Sequence, residues 1–234
     1  MPRGQVSIQV DRDLPHECTY VDALLDASLK TGRCAKILRN SMVVFAAGIP
    51  QQVQGRDYLF DAEAVCQTIK LLERENAPDL TKGPFRYEKG PLTGLNRKHF
   101  FQASCLPENI LQEIERDGIG TIYRKLSAHY GSGNYSGKTI DETDLQLFAE
   151  AVSADTIERR AARRANGPDG GMTGEHLIYA KTPSGNIYLY ASFHGEDQQR
   201  IVGSVAVSLQ DFPEVAGIAP VLATRDGCEP SEEF

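Results

Sequence analysis

The 234 residues are 41% apolar and 24% charged, with a formal net charge of −7. That length fits one large domain, or one domain with a sizeable insertion, and is enough for a full hydrophobic core. Bulk acidity counts against tight nonspecific binding of nucleic acid, which needs phosphate neutralisation. Five scattered cysteines without a C-x-x-C pair (Cys18, Cys34, Cys66, Cys105 and Cys228) count against a disulfide framework or a zinc ribbon.

Val6–Val10 alternates apolar and polar residues and reads as a short strand. Tyr20–Leu29 reads as a helix with Val21, Leu24, Leu25 and Leu29 on one stripe, stopped by Gly32. The compact apolar run Ser41–Ala47 reads as a buried strand ended by Gly48 and Pro50. Asp61 is placed to cap a helix reaching about Glu75, with Ala64, Val65, Ile69 and Leu72 inward.

Asn76–Lys98 has no clear periodicity, contains Pro78, Pro84 and Pro91, and reads as a long basic loop. Pro107 suits the first turn of a helix to Arg116, and Thr121–Tyr130 reads as another. After the glycine-rich stretch Gly131–Lys138, Thr139 with Glu142 and Asp155 with Glu158 have the spacing of capping boxes. They predict one helix to about Val152 and a second from Thr156 to Ala165. A hairpin follows around Pro183–Asn186, with Tyr188 and Tyr190 on one face by period two. Gln198–Leu209 reads as a helix, although Val205, Val207 and Leu209 also fit a strand.

The expected class is therefore α+β: an N-terminal helix–strand portion, a helical middle, and a C-terminal antiparallel hairpin followed by a helix. Residues 1–166 form the mixed portion, with the basic loop at 76–98. Residues 172–225 form the hairpin–helix portion, continuous with the first. The longest apolar run, Met42–Ile49, is far too short to cross a bilayer. MPRGQVSIQV has no apolar leader core. A cytoplasmic protein without membrane association is the expectation.

Charge is uneven. Residues 82–140 hold nine Lys/Arg against five Asp/Glu, and residues 141–234 hold seven against sixteen. The basic middle suits phosphate, and the acidic last third suits a basic partner.

Arg97-Lys98-His99 sets two cations beside an imidazole. Imidazole moves protons near neutral pH, and cations stabilise charge on a phosphorane. Phe85 and Tyr87 are candidate platforms for an unpaired base. Hairpin geometry brings His176 near the end that leads into His194. Arg124 adds a third cation. SGNYSGKT at 132–139 falls one residue short of the phosphate-cradling G-x-x-x-x-G-K-[ST] pattern, because position 132 is Ser. His194-Gly-Glu196 lacks the downstream cysteine pair of a zinc deaminase. Arg159, Arg160, Arg163 and Arg164 share a helical stripe that suits either RNA or a helix C-terminus.

Three readings follow. The first is a metal-independent ribonuclease or other phosphodiester-acting enzyme, toxin-like, with no cofactor and no bound metal. His99 and His194 are its acid and base, with His176 near. Lys98, Arg97 and Arg124 hold the phosphate of single-stranded RNA. The second is a non-catalytic antitoxin- or immunity-like protein that docks a basic partner. The third is a nucleotide-binding protein using the glycine loop 131–139. The first two stand level on the sequence. The hairpin-then-helix ending is loosely similar to that of small bacterial ribonucleases, over about a tenth of the chain.

Overall fold

The computed structural model describes residues 10–53, 56–74, 81–102, 106–117, 127, 142–166, 175–193, 195–215 and 217–218. The strand expected at Val6–Val10 lies almost wholly outside them, and Val10 itself begins a helix. The glycine loop 131–139 and all but one residue of the expected helix at Thr121–Tyr130 also lie outside. The class is α+β, with seven α-helices, a mixed five-stranded sheet and a two-stranded sheet among the described residues. The chain forms two compact units: residues 1–79, 84–100 and 175–234, and residues 80–83 with 101–174.

The first unit opens with helices α1 (Val10–Asp13) and α2 (Pro15–Ser28). Pro15 sits at the start of α2, where its missing N–H costs nothing. Strand β1 (Arg33–Cys34) leads directly into α3 (Lys36–Ala46). Here the expected strand at Ser41–Ala47 is corrected: Ser41–Ala46 are the second half of a helix, and Ala47 caps it. Leu38, Met42 and Phe45 recur at i, i+4 and i+7 and are all buried. That stripe shows only when Lys36–Asn40 is counted with the apolar run. After the short hairpin β2 (Gln51–Val53) and β3 (Arg56–Tyr58) comes α4 (Ala62–Glu73). As expected, the Asp61 carboxylate caps it, accepting from the Glu63 and Ala64 amides at 2.9 and 3.3 Å.

The segment read as an aperiodic loop contains strand β4 (Phe85–Arg86) and the first three residues of β5 (Asn96–Phe100). Both faces of β5 carry polar residues, so no alternation betrays it. Its partner is β6 (Glu175–Thr182), far away in sequence. Strand β7 (Gly185–Ser192) completes the sheet in the order β1-β7-β6-β5-β4, antiparallel except for β1 with β7. The hairpin turn is tight: Thr182 pairs with Gly185. Gly185 adopts φ +127°, and a Cβ there would meet the Thr31 carbonyl oxygen at 2.7 Å.

A bulge interrupts this hairpin. Tyr179 pairs with Tyr188, but Ile178 pairs with Tyr190, leaving Leu189 as an extra residue. Tyr188 and Tyr190 therefore do not share a face, contrary to the period-two expectation. Tyr188 belongs to the core formed with α2, α3 and α4, beside Leu177, Tyr179 and Phe193. Tyr190 belongs to the core on the opposite face, with Ile178, Ile187 and Leu189. Val202, Val205 and Leu209 of α7 (Gln198–Leu209) close that second face. The Asp197 carboxylate caps α7, accepting from the Gln199 and Arg200 amides.

In the second unit, α5 (Leu106–Asp117) packs on α6 (Glu142–Asn166). Helix α6 is continuous through Asp155, where the sequence suggested a new start. Asp155 makes no break there, because its carboxylate pairs with Arg159 one turn on, at 2.7 Å. Arg160 and Arg163 both reach the buried carboxylate of Glu113 on α5. Three of the four arginines of the basic stripe are thus engaged in ion pairs within this unit.

One carboxylate ties the N-terminal segment of the first unit to its sheet. Glu73, the last residue of α4, accepts from the Thr31 and Gly32 amides at 2.9 and 3.1 Å and from the Tyr188 hydroxyl at 2.6 Å. Burial works against its charge, but the Thr31 amide, Tyr188 and the Gly32 and Lys30 amides outweigh that. The carboxyl is held below its ordinary value of 4.5. Glu73→Gln should cost about 1.5–3 kcal/mol at neutral pH, the scale of hydrogen bonds to a charged group. Because the folded protein holds this carboxyl ionised, that stability is present above the ordinary value. The gap between wild type and variant should close as pH falls below 4.5 in denaturant melts.

Candidate histidine site at the end of the sheet

Strand register builds the site. His99 of β5 pairs with His176 of β6, and His176 pairs with Ser192 of β7. Directly paired residues on neighbouring strands point to the same face. The three therefore form one row across the sheet, on the face covered by α7. The imidazole rings of His99 and His176 lie 4.2 Å apart between centroids, tilted by 58°. His99 and Ser192 are buried, and His176 between them is half-buried.

The next row along the same face is Arg97, Ile178 and Tyr190. The Arg97 guanidinium lies 5.9 and 5.4 Å from the ring centroids of Phe85 and Tyr87. The two rings proposed as base platforms thus already face the cation proposed as a phosphate holder. Burial raises the Tyr87 phenol, and Arg97 opposes that shift.

Beside the row lies a buried carboxylate. Glu196 accepts from the Tyr190 hydroxyl at 2.8 Å and from the Phe193 amide at 3.0 Å. Its other neighbour is Arg200, one helical turn on, at 3.2 Å. Arg200 also donates to the Gln52 carbonyl of β2. Glu196 thereby ties the end of β7 to the start of α7. Burial dominates its titration and raises it above the ordinary value of 4.5, against Tyr190, the Phe193 amide and Arg200.

Of the residues singled out from the sequence, His99 and His176 come together, and Arg97 follows on the same face. Lys98 points the other way, toward the first core. It is 1% exposed, and its ammonium donates to the His99 carbonyl at 3.3 Å. Arg124 and His194 lie outside the described residues. Ser192, Tyr190 and Arg200 were not singled out as site residues. Ser192 becomes a neighbour of His176 only through the bulge at Leu189. Counting back from the turn without it sets Ala191 opposite His176.

Among the described residues, no group of three or more His, Cys, Asp or Glu side chains is placed to hold a metal ion. Cys18, Cys34 and Cys66 are free thiols. Burial pushes Cys34 up to about 12 and Cys66 up to about 11, which leaves both unreactive near neutral pH. No family model, curated protein or solved structure matches the chain.

Glu196 and Glu73 should respond to pH in opposite senses. A carboxyl raised by folding supports stability most fully below its unfolded value and loses that support as pH rises. The advantage of wild type over Glu196→Gln should therefore be larger at about pH 4 than at about pH 7 in urea melts.

Proposed function

We propose that the protein is a metal-independent phosphodiester-acting enzyme, a ribonuclease, with His99 and His176 as its acid–base pair. The observation that carries this reading is the direct contact of the two imidazole rings on neighbouring strands. Imidazoles move protons near neutral pH, and two this close can act on one reacting group. One ring can then accept a proton while the other donates one. Arg97, on the same face two residues before His99, supplies the positive charge for a phosphate. Phe85 and Tyr87 beside it supply ring faces for an unpaired base, which makes single-stranded RNA the substrate. We place this activity in the cytoplasm, in keeping with the free thiols. No described helix is long and apolar enough to cross a membrane.

Purified protein incubated with a labelled single-stranded RNA should cut it in the presence of EDTA, with a bell-shaped pH profile. His99→Ala and His176→Ala should each lower turnover by roughly 100-fold with circular dichroism unchanged. Lys98→Ala should act on stability, since its side chain leaves β5 on the face opposite the imidazoles. Absence of cleavage of RNA and DNA over a range of salt and pH would overturn the reading. An acidic protein that docks a basic partner would then replace it.

A further inference from the structure

The row His99–His176–Ser192 contains a hydroxyl that acid–base chemistry by the two imidazoles does not use. We infer that Ser192 is a covalent nucleophile, with His176 as its base and His99 as the acid beside it; this rests on the reading of the histidines as a phosphodiester-acting pair. Ser192 and His176 are direct cross-strand partners, which puts their Cβ atoms about 4.5–5.5 Å apart. Rotation of the serine about χ1 then covers the distance to the imidazole. His99 contacts the far side of the same ring system, at 4.2 Å between centroids. A serine paired across strands with an imidazole base, with a second imidazole packed on that base, has the parts that activate a serine, whatever the fold or chain order.

The strand end carrying the hydroxyl is also anchored. Tyr190 and Phe193 bracket Ser192, and both donate to the Glu196 carboxylate. Arg200 holds that carboxylate from α7. Catalytic serines need fixed backbones, and a buried carboxylate bonded on both sides of Ser192 provides one. The row is least buried at His176, between the groups that would share the reacting atom.

In the first step the Ser192 oxygen attacks phosphorus. The P–Oγ bond forms and the P–O bond to one sugar oxygen breaks. The serine proton passes to His176, and His99 gives its proton to the departing oxygen, which leaves as an alcohol. In the second step water attacks the phosphoserine while His99 takes its proton. The P–Oγ bond breaks, a phosphate monoester leaves, and the His176 proton returns to Ser192. No oxidant or metal enters the balance. Since the nucleophile belongs to the protein, the substrate needs no 2′-hydroxyl. DNA should be cut as well as RNA, and RNA products should lack a 2′,3′-cyclic phosphate.

Diisopropyl fluorophosphate, a phosphorus electrophile, tests this on the full chain. One diisopropylphosphoryl group should appear at Ser192 by intact mass and peptide mapping. Labelling should disappear in Ser192→Ala and slow by roughly 100-fold in His176→Ala. Ser192→Thr, should the alanine variant misfold, should retain labelling at the replaced hydroxyl. Cleavage of RNA but not of a DNA oligonucleotide, with no adduct at Ser192, would overturn the nucleophile and leave the histidine reading standing. An equal labelling rate in His176→Ala would overturn it too. An adduct at Ser192 without cleavage of any nucleic acid would uphold the nucleophile and remove phosphodiesters as the substrate.

Discussion

The register of β6 against its two neighbours is the constraint from which the rest of the first unit follows. Paired on both sides, β6 decides which residues of β5 and β7 face which core. Period two then does the sorting: Leu177 and Tyr179 go to the face of α2, α3 and α4, while His176 and Ile178 go to the face of α7. A slip of one residue between β6 and β5 would exchange the faces on which Lys98 and His99 meet their partners. It would also part the two imidazoles. Tight packing on both faces excludes it: each fully buried large side chain contributes about 1.5–3 kcal/mol, and each would meet a cavity of the wrong shape.

Polar bonds on opposite faces reinforce that register. Tyr188 is bonded to Glu73 on one side of the sheet, and Tyr190 to Glu196 on the other. Hydrogen bonds to charged groups are worth about 1.5–3 kcal/mol each, and a shifted strand would lose both. Their electrostatics differ because their surroundings do. Glu73 is met by several backbone amides, which favour the anion. Glu196 sits deeper with fewer donors, and burial prevails. The two carboxylates thus make β7 a strand whose position is specified at both ends, and the histidine row sits at the Glu196 end.

The same contrast between local and distant causes governs what could be read in advance. Helices with local start signals were legible: Asp61 caps where its spacing indicated, and α7 spans Gln198–Leu209 as read. The hairpin was legible because its turn is local. Helix α3 was misread because the apolar run alone fits strand as well as helix, and the polar first half carries the deciding phase. Strand β5 was missed because Arg97, Lys98 and His99 give it no alternation; only β6, brought in from the far end of the chain, makes it a strand. At Asp155 a spacing that often starts a helix served an ion pair inside one.

The candidate site divides in the same way. The sequence by itself determined the class of the fold, the hairpin, and the presence of His176 at its open end, since these depend on residues within a few positions of one another. It could not determine which imidazoles meet. That was decided by tertiary structure through the pairing of β5 with β6, a contact between distant segments with no local signal. The bulge at Leu189 was decided there as well. It puts Ser192 opposite His176 and sends Tyr188 and Tyr190 to opposite cores. A bulge is the compromise a strand makes with two packed faces at once, and neither face exists until the helices from both ends of the chain have closed on the sheet.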